Sequence, residues 1–185
     1  MLGRAALVCA LVCGIAGRAG ADFKQWTVAV TPGYSVAYVD SRTAHGGGGG
    51  VEIGFGVSEA LTLHASGFLS WQAIGSSKTE QAGTMTGYAS MIGLTYTFDV
   101  LRLVPYFDLE LGVVGVRGDA AFGTNDKVAK SADDFAFALG FGIDFLVTRH
   151  VAVGFVVRYH ALFTDITRIP VYLFVGPRVS FRFGR

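Results

Sequence analysis

The feature that most constrains this chain is an alternation of bulky apolar and small residues. Residues 135–145 read FAFALGFGIDF, with Phe, Leu or Ile at every odd position and Ala, Gly or Asp between them. A period of two places successive side chains on opposite faces of a β-strand, whereas a helix repeats every 3.6 residues. Glycine, at 26 of 185 residues, recurs at such alternate positions, where it would destabilise a helix. The alternation therefore predicts an all-β fold.

Eight segments of the chain carry this alternation, and polar or turn-forming stretches separate them. We predict strands at 26–39, 48–57, 60–74, 84–98, 103–118, 134–147, 150–163 and 170–183. The separators alternate between short ones, at 58–59, 99–102 and 148–149, and longer polar ones, at 40–47, 75–83, 119–133 and 164–169. This arrangement predicts an eight-stranded antiparallel up-and-down transmembrane β-barrel with a short-turn end and a long-loop end.

The two faces of the predicted strands differ in a way that distinguishes a soluble barrel from a membrane barrel. One face is bulky and apolar, and the other is mostly Gly, Ala, Ser and Thr with a few charges. A soluble, lipocalin-like barrel would turn the second face to water, which requires many Lys and Glu. Only 16% of the residues are charged, against roughly 25% in soluble domains. The pattern favours lipid around the bulky face and a narrow interior lined by the small one.

The first 21 residues have the pattern of a secretory signal peptide. Arg4 precedes a 13-residue apolar run that is too short to span a bilayer, and a small-x-small cleavage site ends at Ala21. Cleavage there leaves residues 22–185 as one barrel domain without cysteine, because both cysteines lie in the removed part. Neither cysteine follows the Leu and small residues of a lipoprotein signal, so a lipid anchor is the less favoured alternative.

The last predicted strand carries a family resemblance. Together with the signal peptide and the eight alternating segments, VYLFVGPRVSFRF at 171–183 resembles the small outer-membrane barrels of the OmpA-like and opacity-protein group. In that group Gly, an inward polar residue and alternating aromatics are read by the barrel-assembly machinery, and Gly176, Arg178, Phe181 and Phe183 are similar. The chain departs from the group where two residues follow the last aromatic. The resemblance implies a porin-like, monomeric barrel in contact with lipid in the outer membrane of a diderm bacterium.

Charged residues on the small face form the candidate site. They are Glu52, Asp108, Glu110, Asp144, Arg158, Arg178 and Arg182, and most lie toward the short-turn end. Charges enclosed in a narrow interior are costly unless they are paired. We therefore predict an ion-pair network that plugs the lumen, with Arg178 and Arg182 bridging carboxylates of neighbouring strands. The alternative is a hydrated lumen in which water screens these charges.

Two further motifs suggest chemistry but have simpler interpretations. His64 and Ser66 face the same way, and a His-x-Ser pair occurs in lipid A deacylases, which are also eight-stranded barrels. Gly67 stands where those enzymes have Asn, and the pair faces the lumen, so a lipid-modifying enzyme is the least favoured function. The glycine run 46–50 lacks the Lys-Ser/Thr of a phosphate loop, and we expect a flexible outer loop there.

Acidic and proline residues complete the candidate features. The acidic residues of segment 119–134 match no calcium loop, so we expect a solvated loop and neither metal nor cofactor. Each proline within a strand removes a hydrogen-bond donor, which predicts bulges or strand starts. These residues are Asp119, Asp126, Asp133 and Asp134 in the loop and Pro32, Pro105 and Pro177 in the strands.

The sequence is compatible with two main functions. Removal of the signal peptide leaves 13 basic and 14 acidic residues, a balance that does not indicate nucleic-acid binding. The favoured function is a non-enzymatic structural or surface-interaction barrel with a polar, plugged lumen, whose long loops contact any extracellular ligand. The alternative is a narrow channel for small solutes, made possible by the many lumenal glycines. The two differ in whether bulky inward residues fill the remaining space, namely Phe68, Met91, Tyr106, Tyr172 and Phe174.

Overall fold

The fold is a closed ring of eight antiparallel strands. The computed structural model describes residues 24–39, 42–74, 83–98, 102–118, 131–163 and 171–184. Each strand pairs with the next and β1 pairs with β8, which confirms the predicted barrel. The described residues include no helix long and apolar enough to cross a membrane. The strands are β1 (Trp26–Val39), β2 (Arg42–Gly56), β3 (Leu61–Ile74), β4 (Gly83–Thr97), β5 (Leu103–Gly118), β6 (Ser131–Leu146), β7 (Val151–Leu162) and β8 (Val171–Phe183).

Burial alternates along the strands as the sequence predicts. Met91 in β4 points into the barrel and is 3% exposed, whereas its neighbour Ile92 points outward and is 67% exposed. The outer face is a continuous apolar surface that carries aromatic side chains near both strand ends, and these are the positions of interfacial girdles. The aromatic residues are Trp26, Phe98, Phe107, Phe145 and Phe183 near the short-turn end, and Tyr38, Trp71, Phe135 and Tyr159 near the other.

Two of the short turns are built in the same way. In the turn between β2 and β3, the Ser58 hydroxyl accepts hydrogen bonds from the backbone N–H groups of Ala60 and Leu61, at 3.3 and 3.0 Å. In the turn between β6 and β7, the Thr148 hydroxyl accepts from the N–H groups of His150 and Val151, at 3.2 and 3.0 Å. A hydroxyl that binds local backbone groups stabilises a tight reversal, which fixes the register of each hairpin.

The glycine run is the clearest departure from the expected strand limits. β2 begins at Arg42, so the predicted outer loop at 40–47 and the flexible loop at 46–50 are wrong. Gly46 faces Gln72 and Gly50 faces Phe68 across the pairing with β3. A Cβ atom on Gly48 would lie 2.9 Å from the Cα atom of Ser70, a distance that real side chains do not adopt. A Cβ atom at Gly46 or Gly48 would therefore collide with strand β3, whereas one at Gly47 or Gly49 would meet no atom nearer than 3.6 Å.

The predicted long loop before β6 also ends earlier than expected. β6 begins at Ser131, so Asp133 and Asp134 belong to a strand and not to the acidic loop predicted at 119–134. Asp133 accepts a hydrogen bond from the Tyr88 hydroxyl on the outer face. Asp119 and Asp126 lie outside the described residues.

The prolines are accommodated without the expected bulges. Pro105 lies near the start of β5, and its carbonyl accepts a hydrogen bond from the Phe98 N–H at 2.9 Å. Between β1 and β8 the pairing stops after Val30↔Val179 and resumes at Tyr34↔Val175 in unchanged register. That register places Pro32 opposite Pro177. Because the two missing N–H donors coincide, the strands lose one local set of hydrogen bonds and need no inserted residue to correct the register.

Substitution of outer-face residues should reveal the depth of the surrounding membrane. Phe141 lies midway along the spanning part of β6 and is 58% exposed, whereas Val147 lies in the short turn after β6 and is 56% exposed. We expect Phe141→Arg to lower the free energy of unfolding in lipid by about 2–4 kcal/mol, and Val147→Arg by about 0–1 kcal/mol. Urea titration of the barrel in lipid vesicles measures both values. Equal effects would contradict a bilayer centred on Phe141.

Candidate functional site in the barrel lumen

The lumen holds an ion-pair layer toward the short-turn end and an apolar layer toward the long-loop end. The alternation of β2, β5, β6, β7 and β8 directs the charged side chains inward, where an eight-stranded interior is only just wide enough for side chains. The ion-pair layer comprises Glu52, His64, Thr95, Asp108, Glu110, Asp144, Arg158 and Arg178, all of them buried. The apolar layer comprises Ala37, Ala44, Phe68, Ile74, Met85, Ala89, Met91, Val114, Val116, Ala136, Ala138, Leu162, Tyr172 and Phe174, and it continues to Tyr106 and Val156 beside the ion-pair layer.

Arg158 is the centre of the ion-pair layer. Its Nη2 atom donates to a carboxylate oxygen of Glu52 and lies 3.2 Å from Asp108 Oδ2 and 3.4 Å from Glu110 Oε1. The three carboxylates come from β2 and β5, which lie three and two strands away from β7 around the ring. A guanidinium can reach across this distance and bind several carboxylates at once because its donors are spread over a planar fork. Arg158 therefore cross-links the interior of the barrel.

Arg178 makes a second cross-link from β8. Its Nη2 atom donates to Glu52 Oε1 at 2.8 Å, and its Nη1 atom donates to Asp144 Oδ2. The guanidinium carbon also lies 5.0 Å from the ring centroid of Tyr106, a cation–π contact. Glu52 thus binds both arginines, and the two cross-links form one continuous network.

His64 connects the network to β4. Its Nε2 atom lies 2.8 Å from Glu110 Oε1, and its Nδ1 atom lies 3.0 Å from the Thr95 hydroxyl. Thr95 in turn donates to Asp108 Oδ1 at 2.7 Å. Ser66 donates to the other oxygen of Glu110 at 3.4 Å. His64 and Ser66 therefore share an acceptor, and the described hydrogen bonds include none that joins one to the other.

Aromatic rings pack together in the apolar layer. The Phe68 ring lies 4.6 Å from that of Phe174 and 5.6 Å from that of Tyr172, both in edge-to-face geometry. Phe174 fills the space above Gly33, where a Cβ atom would lie 2.6 Å from the ring. The lumenal glycine at position 33 thus makes room for a neighbouring ring and leaves no gap at that level.

A cavity opens below the ion-pair layer at the short-turn end. Glu52, Tyr106, Asp144, Arg178 and Arg182 line it, together with Gln25, Thr27, Thr62, Thr95 and Thr97. Within the described residues, the Tyr106 hydroxyl, Asp144 Oδ1 and Arg178 Nε have no hydrogen-bond partner. This mouth is therefore polar and offers both donors and acceptors.

One cluster has a composition that would suit a metal ion. Glu52, His64 and Glu110 each offer a ligand atom, and these atoms lie within 4.8 Å of one another. The same atoms already bind other groups, because Arg158 contacts both glutamates and His64 bonds directly to Glu110. The described geometry is that of an ion-pair network and not of a coordination site.

The structure brings six of the seven residues proposed from sequence into ion-pair distance, namely Glu52, Asp108, Glu110, Asp144, Arg158 and Arg178. Arg182 lies at the short-turn mouth, lining the same cavity as Arg178. Arg158 and Arg178 each bind carboxylates of two different strands. Sequence reasoning missed Thr95, whose inward parity was its only signal. It treated Tyr106 as a space-filling lumenal residue and His64 as a catalytic candidate.

Removal of one arginine should cost far more inside the network than outside it. We expect Arg178→Ala to lower the free energy of unfolding by about 3–5 kcal/mol, because it leaves two buried carboxylates without their cation. Arg102→Ala, at an exposed position at the short-turn end of the barrel, should cost about 0–1 kcal/mol. Urea unfolding of the refolded barrel, followed by circular dichroism, measures both. A midpoint for Arg178→Ala that equals the wild-type midpoint would show that water screens these charges.

Comparisons with solved structures agree with this fold. Neisserial surface protein A is 15% identical, with a TM-score of 0.68, covering 85% of this chain and 97% of that one. The attachment invasion locus protein Ail of Yersinia pestis, solved with the heparin analogue sucrose octasulfate, is 13% identical, with a TM-score of 0.59 and coverages of 88% and 100%. OprG from Pseudomonas aeruginosa is 13% identical, with a TM-score of 0.54 and coverages of 88% and 98%. At these identities the likeness shows the fold alone.

The family is shown by a match to a sequence model. The model for the outer membrane protein beta-barrel domain matches residues 5–175, which is most of the chain. A search of curated proteins finds no match. The matched range includes seven complete strands and the whole ion-pair layer except Arg178. The chain therefore belongs to the outer membrane protein β-barrel domain family and is a protein of the bacterial outer membrane.

Proposed function

We propose that this protein is a sealed, non-enzymatic barrel that holds its long loops at the cell surface. The observation that carries the proposal is the succession of two filled layers along one narrow lumen. The ion-pair layer closes the lumen toward the short-turn end, where Arg158 and Arg178 reach across the ring. The apolar layer closes it toward the long-loop end, where Phe68, Tyr172 and Phe174 pack together. A hydrated ion would have to disrupt both layers to pass.

Surface exposure of the loops supports an interaction role. Outer-membrane barrels place short turns in the periplasm and long loops outside the cell, so the long-loop end is the surface available to an extracellular ligand. Two proteins with the same fold, Neisserial surface protein A and the attachment protein Ail, are named for surface roles. Their low identity carries no ligand over to this chain. One chain closes the ring by itself through β1 and β8, which supports a monomer inserted by the barrel-assembly machinery.

The geometry of the His-x-Ser pair argues against a lipid-modifying enzyme. A histidine that activates a serine must accept the hydroxyl proton directly. Here Ser66 donates to Glu110, and His64 bonds to the same carboxylate. Both side chains lie inside the barrel, where a lipid of the surrounding membrane does not reach them. These positions favour a structural role for the pair within the ion-pair layer.

A narrow channel is the second candidate, and the cavity at the short-turn mouth favours it. Tyr106, Asp144 and Arg178 line this cavity, and each has a buried polar atom without a hydrogen-bond partner among the described residues, which makes hydration from the short-turn side favourable. A channel further requires that water or a small solute pass the apolar layer. The two candidates therefore differ in whether the apolar layer blocks conduction.

Conductance measurements on layer variants separate the two candidates. We expect the wild-type barrel to show no single-channel conductance in a planar bilayer. Phe174→Gly and Arg178→Ala alone should each leave one layer closed, and the double variant should conduct because both layers are opened. Phe155→Gly, which removes an outward-facing ring from the neighbouring strand β7, is the matched control and should stay closed. Steady conductance through the wild type would establish the channel and overturn the seal.

Antibody labelling tests the orientation of the barrel. An epitope tag placed between Asn125 and Lys127, in the segment that joins β5 to β6, should be labelled on intact cells because that segment belongs to the long-loop end. A tag inserted after Ser58, in a short turn, should be labelled only after the outer membrane is broken. The reverse pattern would invert the orientation and remove the loops from the cell surface.

A further inference from the structure

The geometry points to His64 as a buried imidazolium that neutralises the acidic excess of the lumen. Three hydrogen bonds around the ring determine which of its nitrogens carry hydrogen. The resulting charge state of the ion-pair layer does not depend on whether the lumen conducts.

The hydroxyl of Thr95 fixes the role of one ring nitrogen. The hydroxyl of Thr95 has a single hydrogen to donate. Its Oγ1 atom lies 2.7 Å from Asp108 Oδ1, which is an acceptor when that carboxylate is ionised. With its hydrogen directed at Asp108, Thr95 can only accept from His64 Nδ1, 3.0 Å away. Nδ1 therefore carries a hydrogen.

The carboxylate of Glu110 fixes the role of the other nitrogen. His64 Nε2 lies 2.8 Å from Glu110 Oε1, which also lies 3.4 Å from the guanidinium of Arg158. A carboxylate held by a guanidinium is ionised and accepts hydrogen bonds only. Nε2 must therefore also carry a hydrogen. A ring with a hydrogen on both nitrogens is an imidazolium and bears a positive charge.

The charges around the ring are consistent with this assignment. Four buried carboxylates, Glu52, Asp108, Glu110 and Asp144, share two buried guanidiniums, those of Arg158 and Arg178. Arg182 at the mouth adds a third cation, which leaves one negative charge unmatched. The groups that face His64 are Glu52 from β2, Thr95 from β4, and Asp108 and Glu110 from β5, with Arg158 of β7 beyond them. An imidazolium among these carboxylates makes the network neutral.

A competing arrangement places the same proton on Asp108. Asp108 would then donate to Thr95, and Thr95 would donate to a neutral His64. Imidazole is the stronger base in water, at about 6.5 against about 3.9 for an aspartate carboxylate. Burial and the nearby Glu52 carboxylate favour the protonated form of Asp108, whereas Arg158, at 3.2 Å, and the Thr95 hydroxyl favour its ionised form. We therefore assign the proton to the ring, and its location can be measured directly.

Nitrogen NMR of the barrel in detergent micelles tests the assignment. The chain has four histidines, and the signals that His64→Gln removes identify His64. At about pH 7.5, above the ordinary imidazole range, both ring nitrogens of His64 should carry hydrogen. A ring with a bare Nδ1 would place the proton on Asp108 or remove it, and either result overturns the inference.

A stability profile provides the second test. His64→Gln should lower the urea midpoint at about pH 7.5, and the difference from wild type should vanish at strongly alkaline pH, where the wild-type ring has lost its charge. His160→Gln is the matched control. His160 is equally buried, but its Nδ1 atom bonds to the carbonyl of Tyr172, so its loss should shift the midpoint by the same amount at both pH values. Adding Glu110→Gln to His64→Gln should restore part of the lost stability, because it removes the unmatched negative charge. A pH-independent effect of His64→Gln, without rescue, would contradict the inference.

Discussion

The structure depends on one constraint, which is that lipid offers no hydrogen bonds to the backbone. A sheet can span the membrane only if its edges are joined, and the pairing of β1 with β8 provides that closure. Closing as few as eight strands makes the interior so narrow that every inward side chain meets others from across the ring. The small residues of the inward face and the pairing of its charges both follow from this geometry. The side-chain composition of the lumen thus follows from the ring closure that the surrounding lipid requires.

Within this narrow interior, charged and apolar side chains are separated by depth. Arg158 and Arg178 bind carboxylates at one level, and Phe68 and Phe174 pack at another. Mixing them would leave guanidiniums among rings that cannot satisfy their donors, and an unpaired buried charge is costly. Segregation keeps each guanidinium beside carboxylates that can bind it. Glycines such as Gly33 then absorb the differences in side-chain size between one level and the next.

Most of the fold could be predicted from the sequence because a strand with lipid on one side has apolar side chains at every second residue, which shows which face is outward. Prediction failed at the glycine run, since glycine has no side chain and the sequence there does not report which face is inward. The start of β6 was misplaced because Asp133 and Asp134 are polar on both faces of the strand. For the site, parity identified the inward charges but not their partners. Which carboxylates Arg158 and Arg178 bind depends on depth and on the stagger between strands, which alternation does not encode.

Pro32 and Pro177 interrupt the pairing between β1 and β8, whereas the other seven strand pairs have an unbroken register over the described residues. The Gly56 N–H donates to the Gln25 carbonyl, which shows that the odd-numbered residues of β1 form their hydrogen bonds with β2. The Arg182 N–H donates to the His150 carbonyl, which shows that the even-numbered residues of β8 form theirs with β7. By this alternation Pro32 and Pro177 both direct their nitrogens into the seam between the first and last strands. The chain is therefore closed by two separate hydrogen-bonded zones, one on each side of a short interval held by side-chain packing and the rest of the ring. We expect either zone to be able to open while the other stays paired, so that β8 separates from β1 in two steps.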